Sequence, residues 1–195
     1  MALFRRTPKT RTVVVRLNAR LRPMDRGQIF EDPLDAHLRA AAMPASVTGA
    51  GTMISDDGEP LSSDVELDVP VDDPATGLAA GVATFLDSLG APRGSRIVDA
   101  DGTELAAFGA TDGLALYLNG TDLPDEVYAN SDTNELVEAV GAALGDSGRI
   151  LSYWHGPADT ALYLYGPSAD VMRARLDQLL ASRPDTQLSR LEAIT

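Results

Sequence analysis

Asp64-Val65-Glu66-Leu67-Asp68-Val69-Pro70-Val71 alternates polar and apolar residues along its length. Successive side chains of a β-strand point to opposite faces, so Val65, Leu67, Val69 and Val71 share one face and Asp64, Glu66 and Asp68 the other. A half-buried strand of this kind needs a helical layer on its apolar side, and the flanking chain supplies one. Upstream, residues 12–18 (Thr-Val-Val-Val-Arg-Leu-Asn) read as a strand. Asp32 ahead of Pro33, with Asp35 close behind, reads as an N-cap, a proline at the first helical position and an acidic first turn. That helix is expected to run through Leu38 to about Ala42, where Pro44 stops it. Residues 46–54 read as a strand and Asp56-Asp57-Gly58-Glu59 as its turn. Downstream, Asp73-Pro74 opens a helix with Leu78, Val82, Phe85, Leu86 and Leu89 at helical spacing, closed by Gly90 and Pro92. Residues 96–100 form a last short strand. The order is β-α-β-β-α-β.

The second half repeats it. Residues 114–118 predict a strand. Asp132 to Glu135 has the form of a capping box ahead of a helix carrying Leu136, Val137, Val140, Ala143 and Leu144. Residues 149–154 and 161–165 form two strands around Gly156-Pro157-Ala158-Asp159. Ser168 caps a helix with Val171, Met172, Leu176, Leu179 and Leu180, and residues 186–194 supply a final strand. The expected fold class is α+β, two tandem ferredoxin-like (βαββαβ) modules with antiparallel sheets. The division is a basic flexible N-terminal arm over residues 1–11, a first module over 12–109 and a second over 110–195. A hairpin over residues 104–118, turning at Asp112-Gly113, is expected to join the halves.

Composition narrows the function. The 195 residues are 44% hydrophobic and 23% charged, which excludes global disorder. The chain has no cysteine, so disulfides, thiolate metal sites and thiol nucleophiles are excluded. It has only two histidines, His37 and His155, and no GxSxG, HExxH or Walker motif. No catalytic, metal-binding or cofactor-binding residue is assigned, and no cofactor is expected. The absence of a signal-like or membrane-spanning apolar run predicts a cytoplasmic location with no membrane contact. Net charge is −13, although Arg5, Arg6, Lys9, Arg11, Arg16, Arg20, Arg22 and Arg26 crowd the start against Asp25 alone. An acidic body repels phosphate backbones and steers basic partners, so a protein partner with a basic surface is expected and general nucleic-acid binding is not.

Two surfaces are candidates for that partner. One is the acidic strand face of Asp64, Glu66 and Asp68, extended by Asp72. The other is an aromatic face containing Tyr153, Trp154, His155, Tyr163 and Tyr165, joined by Tyr117. Aromatic side chains dominate binding hot spots. Gly49-Ala50-Gly51-Thr52 lies inside a strand, where glycines mark a bulge or a close approach rather than a phosphate cradle.

Arg22-Pro23-Met24-Asp25-Arg26-Gly27, Phe30-Glu31-Asp32-Pro33-Leu34, Gly90-Ala91-Pro92-Arg93-Gly94-Ser95, Leu123-Pro124-Asp125-Glu126-Val127-Tyr128 and the segments Tyr153-Trp154-His155-Gly156-Pro157 and Tyr165-Gly166-Pro167-Ser168 resemble small bacterial proteins with ferredoxin-like modules. Some of these are of the immunity-factor kind. The resemblance implies a non-catalytic binding protein, an immunity or antitoxin-like factor. His155 stands where a carboxylate is expected in such proteins. The competing reading is a small-molecule-binding enzyme or sensor with an aromatic pocket in the second module. A homodimer formed by extending the sheets is a third.

Overall fold

The computed structural model describes residues 9–71 and 75–195. The first module contains β1 (Thr10–Leu17), α1 (Pro23–Arg26), a π-helical turn (Gly27–Glu31), α2 (Asp32–Ala40), β2 (Ser46–Ile54), β3 (Pro60–Pro70), α3 (Ala75–Ser88), β4 (Ser95–Asp99) and β5 (Glu104–Phe108). The second contains β6 (Asp112–Asn119), α4 (Asp125–Ala129), α5 (Thr133–Leu144), β7 (Arg149–His155), β8 (Asp159–Gly166), α6 (Ala169–Ser182) and β9 (Arg190–Ile194). The sheets run in the orders β2-β3-β1-β4-β5 and β7-β8-β6-β9. Apart from β5 the two orders are the same, and these strands pair with one another antiparallel throughout. The fold is therefore α+β, with two tandem ferredoxin-like modules.

Each module buries what its strand pattern demands. Val13, Val15 and Leu17 of β1 and Val65, Leu67 and Val69 of β3 pack with Leu34, Leu38, Val82 and Leu86 from α2 and α3. In the second module Leu114, Leu116, Leu162 and Leu164 pack with Leu136, Val140, Met172 and Leu176 from α5 and α6. Asp132 caps α5 by accepting from the Asn134 and Glu135 amides, and Ser168 caps α6 by accepting from Val171.

Local expectations are corrected at both ends of the first module and at its helix start. The chain is already helical at Asp32, whose N–H bonds back to Gly27 O, so the helix starts at Pro23 rather than at an Asp32 cap. The wide turn fits what Pro33 requires inside a helix, where a proline lacks an amide and crowds the carbonyl four residues back. Residues 104–118 do not form a hairpin: β5 pairs with β4 as an added edge of the first sheet, and β6 lies in the second. Gly113 is therefore no turn residue. A Cβ there would meet Ile194 at 2.8 Å and the Tyr165 ring at 2.9 Å, so glycine makes room for that ring. Val71 is 49% exposed because β3 ends one residue earlier. Thr10 and Arg11, expected in the arm, belong to β1, where Arg11 pairs with Asp99 at 2.9 Å. Lys9, also expected in the arm, precedes β1 and its carbonyl accepts from the Val71 amide at 3.0 Å, while residues 1–8 of the arm and Asp72, Asp73 and Pro74 lie outside the described residues.

Candidate functional site at the seam between modules

β6 and β8 are buried on both faces. Leu114, Leu116 and Leu118 turn to α5 and α6, while Ala115, Tyr117, Ala161, Tyr163 and Tyr165 join the first module's core. Pairing of Tyr117 with Ala161 and of Tyr163 with Ala115 keeps the two phenols on one face, as the alternation predicts.

That face closes over Arg20 and Glu59. Residues 18–22 run on from β1 with Ala19 and Leu21 fully buried, which fixes Arg20 between them. Glu59 is set by the β2–β3 turn, where its N–H donates to Ser55 Oγ and its carbonyl accepts from the Ser55 amide. Glu59 Oε1 accepts from Arg20 Nη1 at 2.6 Å, Tyr117 OH at 2.6 Å and Tyr163 OH at 2.9 Å. Arg20 Nη1 also donates to the Tyr117 oxygen at 2.6 Å, and the Arg20 amide to the Tyr165 oxygen at 2.8 Å. Arg190 lies over the Tyr117 ring at 4.1 Å.

A second knot sits beside it. Arg22 forks onto Asp25 at 2.7 and 2.9 Å and stacks over the Tyr153 ring at 3.7 Å. Ser152 Oγ donates to Asp25 at 2.6 Å and accepts from the Arg22 amide. Burial resists the Asp25 charge, but the bonds from Arg22 and Ser152 outweigh it and hold its pKa below the usual value. Arg93 pairs with Asp112 across the seam, and Arg149 donates to Leu89 O at 2.7 Å.

Burial, reinforced by the bond to Glu59, pushes the Tyr117 phenol up to about 12 and Tyr163 higher still. Tyr165 is also raised, chiefly by burial. These hydroxyls are held protonated as donors and acceptors, the arrangement of a clasp. A raised folded pKa means stability that is full below the unfolded value near 10 and is lost as pH rises through 12. Wild-type protein is thus expected to lose denaturant resistance steeply over that interval, and Tyr117→Phe less so. Equal slopes for both would count against the clasp.

The predicted aromatic residues therefore divide. Tyr163 and Tyr165 are 0% and 2% exposed, so they hold the modules together and offer no partner surface, which corrects their assignment. Trp154 is half-buried against the same core. Tyr153 and His155 remain exposed on β7, with rings 6.1 Å apart edge to face, and His155 Nδ1 lies 2.9 Å from Thr160 Oγ1. His37 stacks on Phe85 at 3.9 Å.

The acidic row lies on the face of the first sheet opposite α2 and α3. Asp64 stands across from Arg16, Glu66 from Val14 and Asp68 from Thr12. Arg16 stands in turn across from Arg96, and the Thr10 and Thr12 hydroxyls donate to Asp68 at 3.3 and 3.4 Å. Partial burial, with Glu66 adding to it, raises the Asp64 pKa against the pull of Arg16. On the other flank, β2 offers Gly49 beside Glu66 and Gly51 beside Asp64. The Glu66 side chain leans over Gly49, where a Cβ would come within 2.9 Å of its Oε2, and the strand is irregular between Val47 and Gly49. The glycine-rich stretch thus marks the close approach and bulge expected of it.

A cleft of about 720 Å³ opens at the seam, lined by Gln28, Asp87, Thr111, Asp146, Arg149 and Tyr165 among others. Among the described residues no group of three or more His, Asp or Glu side chains is placed to hold a metal ion. No helix among them is long and apolar enough to cross a membrane.

No family model matches the chain. No curated protein matches it either. Solved structures similar over most of their length include an unknown protein from Galdieria sulphuraria, at 15% identity and a TM-score of 0.31, covering 95% of this chain and 98% of that one. The first two RRM domains of yeast poly(U)-binding protein Pub1 match at 11% identity and 0.24, covering 95% and 99%. A putative monooxygenase from Fusobacterium nucleatum matches at 9% identity and 0.31, covering 97% and 94%. Likenesses this distant carry no argument about activity, and the fold assignment rests on strand order.

Proposed function

We propose that this chain is a non-catalytic cytoplasmic binding protein, of the immunity or antitoxin-like kind, that engages a basic protein partner through the open face of its first sheet. One observation carries the reading: Asp64, Glu66 and Asp68 stand in one strand on the face opposite α2 and α3, in a chain of net charge −13. A negative strip of this sort speeds encounter with a positive surface and orients it. Arg16, across from Asp64, and Arg96 beyond it place positive charge at one border of the row. The partner-binding residues proposed on this face are Asp64, Glu66 and Asp68.

Immobilised wild-type protein is expected to retain a stoichiometric partner from native lysate at low salt and release it at high salt. Asp64→Asn/Glu66→Gln/Asp68→Asn, which keeps side-chain shape and removes charge, should retain none while melting as the wild type does. Equal retention by the triple variant, or binding indifferent to salt, would sink the assignment. Of the aromatic pocket that the small-molecule reading expects in the second module, the seam cleft keeps only Tyr165, beside Arg149 and Asp146 on its wall. A shift in melting temperature with a metabolite, abolished by Arg149→Ala, would favour that reading over the protein partner.

A further inference from the structure

The four sheet edges of the described structure are not equivalent. β5 carries Glu104, β7 carries Arg149, and β9 carries Arg190 and Glu192. Charges of this kind block edge-to-edge pairing. β2 is the longest edge strand at nine residues, Ser-Val-Thr-Gly-Ala-Gly-Thr-Met-Ile, with no charge and no proline, and it is regular over Gly49–Met53 between irregularities at Val47/Gly49 and Met53/Ile54. None of the nine is buried, and Met53 and Ile54 are 58% and 59% exposed.

The centre of this strand reads the same in both directions: Thr48-Gly49-Ala50-Gly51-Thr52 is symmetric about Ala50. Antiparallel pairing of two identical strands about a two-fold axis places each residue opposite its reflection. An axis at Ala50 sets Ala50 against Ala50 and Gly49 against Gly51, within the regularly paired stretch Gly49–Met53, while Thr48 is the extra residue of the bulge after Val47 and falls outside this register. Small residue meets small residue, and no like charges face each other within the strand, although each copy carries −13 overall. Ala50 pairs with Val65 on the core side of β3, so the two helical layers would lie on one side of the joined sheet and the two acidic rows on the other.

We infer that β2 is a self-association edge, and that two copies join β2 to β2 antiparallel about Ala50, merging their five-stranded sheets into one. The inference is independent of the proposed partner, because it uses the backbone edge of β2 and not the carboxylates of β3.

The chain's lack of cysteine makes the test clean. Opposed residues across an antiparallel pair have Cα atoms about 4.5–5.5 Å apart, within disulfide reach. Mild oxidation of the Ala50→Cys variant is expected to yield a covalent dimer of twice the 20.6 kDa chain mass. The Gln178→Cys variant, altered on the exposed side of α6, should yield none. Sedimentation equilibrium of the wild type should give a concentration-dependent dimer. Gly51 has open space where a side chain would begin, so the fold accommodates one there. In the dimer residue 51 faces Gly49 of the second copy, over which that copy's Glu66 leans. Gly51→Glu should therefore weaken dimerisation about tenfold or more, and Gly51→Lys should not. A wild type that stays at 20.6 kDa overturns the inference. So does a dimer in which Ala50→Cys cross-links no faster than Gln178→Cys. Equal weakening by Gly51→Glu and Gly51→Lys, with circular dichroism still native, overturns it as well.

Discussion

Alanine in place of Tyr163 is expected to lower folding stability by about 3–5 kcal/mol and to do so for both modules at once. The ring is fully buried in a core that runs unbroken from Val13 and Leu67 in the first module to Ala161 and Tyr165 in the second. Removing it opens a cavity at the seam and strips Glu59 of one of the donors that Arg20, Tyr117 and Tyr163 supply. Tyr163→Phe separates the two losses, because it keeps the ring and deletes only the hydroxyl. It should cost about 1–2 kcal/mol, near the range for one hydrogen bond to a charged acceptor, with Arg20 and Tyr117 still satisfying Glu59. Urea unfolding can be followed by fluorescence of Trp154, the single tryptophan, and by far-UV circular dichroism, which sees the whole chain. A shared core predicts coincident transitions in the wild type and in both variants. Curves that separate, with only the second module's signal displaced by Tyr163→Ala, would show two independent modules joined loosely and would remove the basis for the clasp.

Strand pattern made most of this architecture legible. β3 alternates because one of its faces meets helices and the other water, and the buried Val65, Leu67 and Val69 lie where the alternation puts them. The recurrence of strand–helix–strand–strand–helix–strand in each half implies the two matching sheet orders. The role of the tyrosines was not legible from alternation alone, because alternation gives two faces without saying what covers each. A signal was present nonetheless. Residues 114–118 and 161–165 are apolar or aromatic at every position, the signature of a strand buried on both sides, in contrast with β3. Weighed that way, the phenol face of the second module had to be covered by something large, and the first module is what covers it. Glu59 carried no such signal. In sequence it is the last residue of an Asp-Asp-Gly-Glu turn, and only the long-range approach of Tyr117 and Tyr163 distinguishes it from its acidic neighbours. Pro33 misled for a local reason, since a proline behind an aspartate looks the same at a helix start and after a π-turn.

Gly109, where the chain leaves β5 for the second module, is a position at which a single methyl should do heavy damage. Its φ of +130° lies where residues with a Cβ are strained, and a Cβ built there would meet Pro92 O at 2.2 Å and Arg93 Cα at 2.4 Å. Both obstacles are backbone, so no rotamer change relieves them. The backbone they belong to is held in place. Ala110 and Thr111 amides donate to Ala91 O, Arg93 N–H donates to Thr111 O, and Asp87 accepts from Gly109 N–H at 2.7 Å. Strain of about 1–3 kcal/mol from φ, together with a comparable overpacking term, predicts that Gly109→Ala loses about 2–6 kcal/mol. Gly58 provides the control. Its φ is +80° but nothing lies within 4 Å of the Cβ position, so Gly58→Ala should show conformational strain alone, about 1–2 kcal/mol. Denaturant midpoints of the two variants measure the difference directly. Near-equal losses would mean that the residue 91–93 segment yields to the new methyl. The crossing between modules would then be held by the tyrosine seam and not by the tight passage of the chain itself.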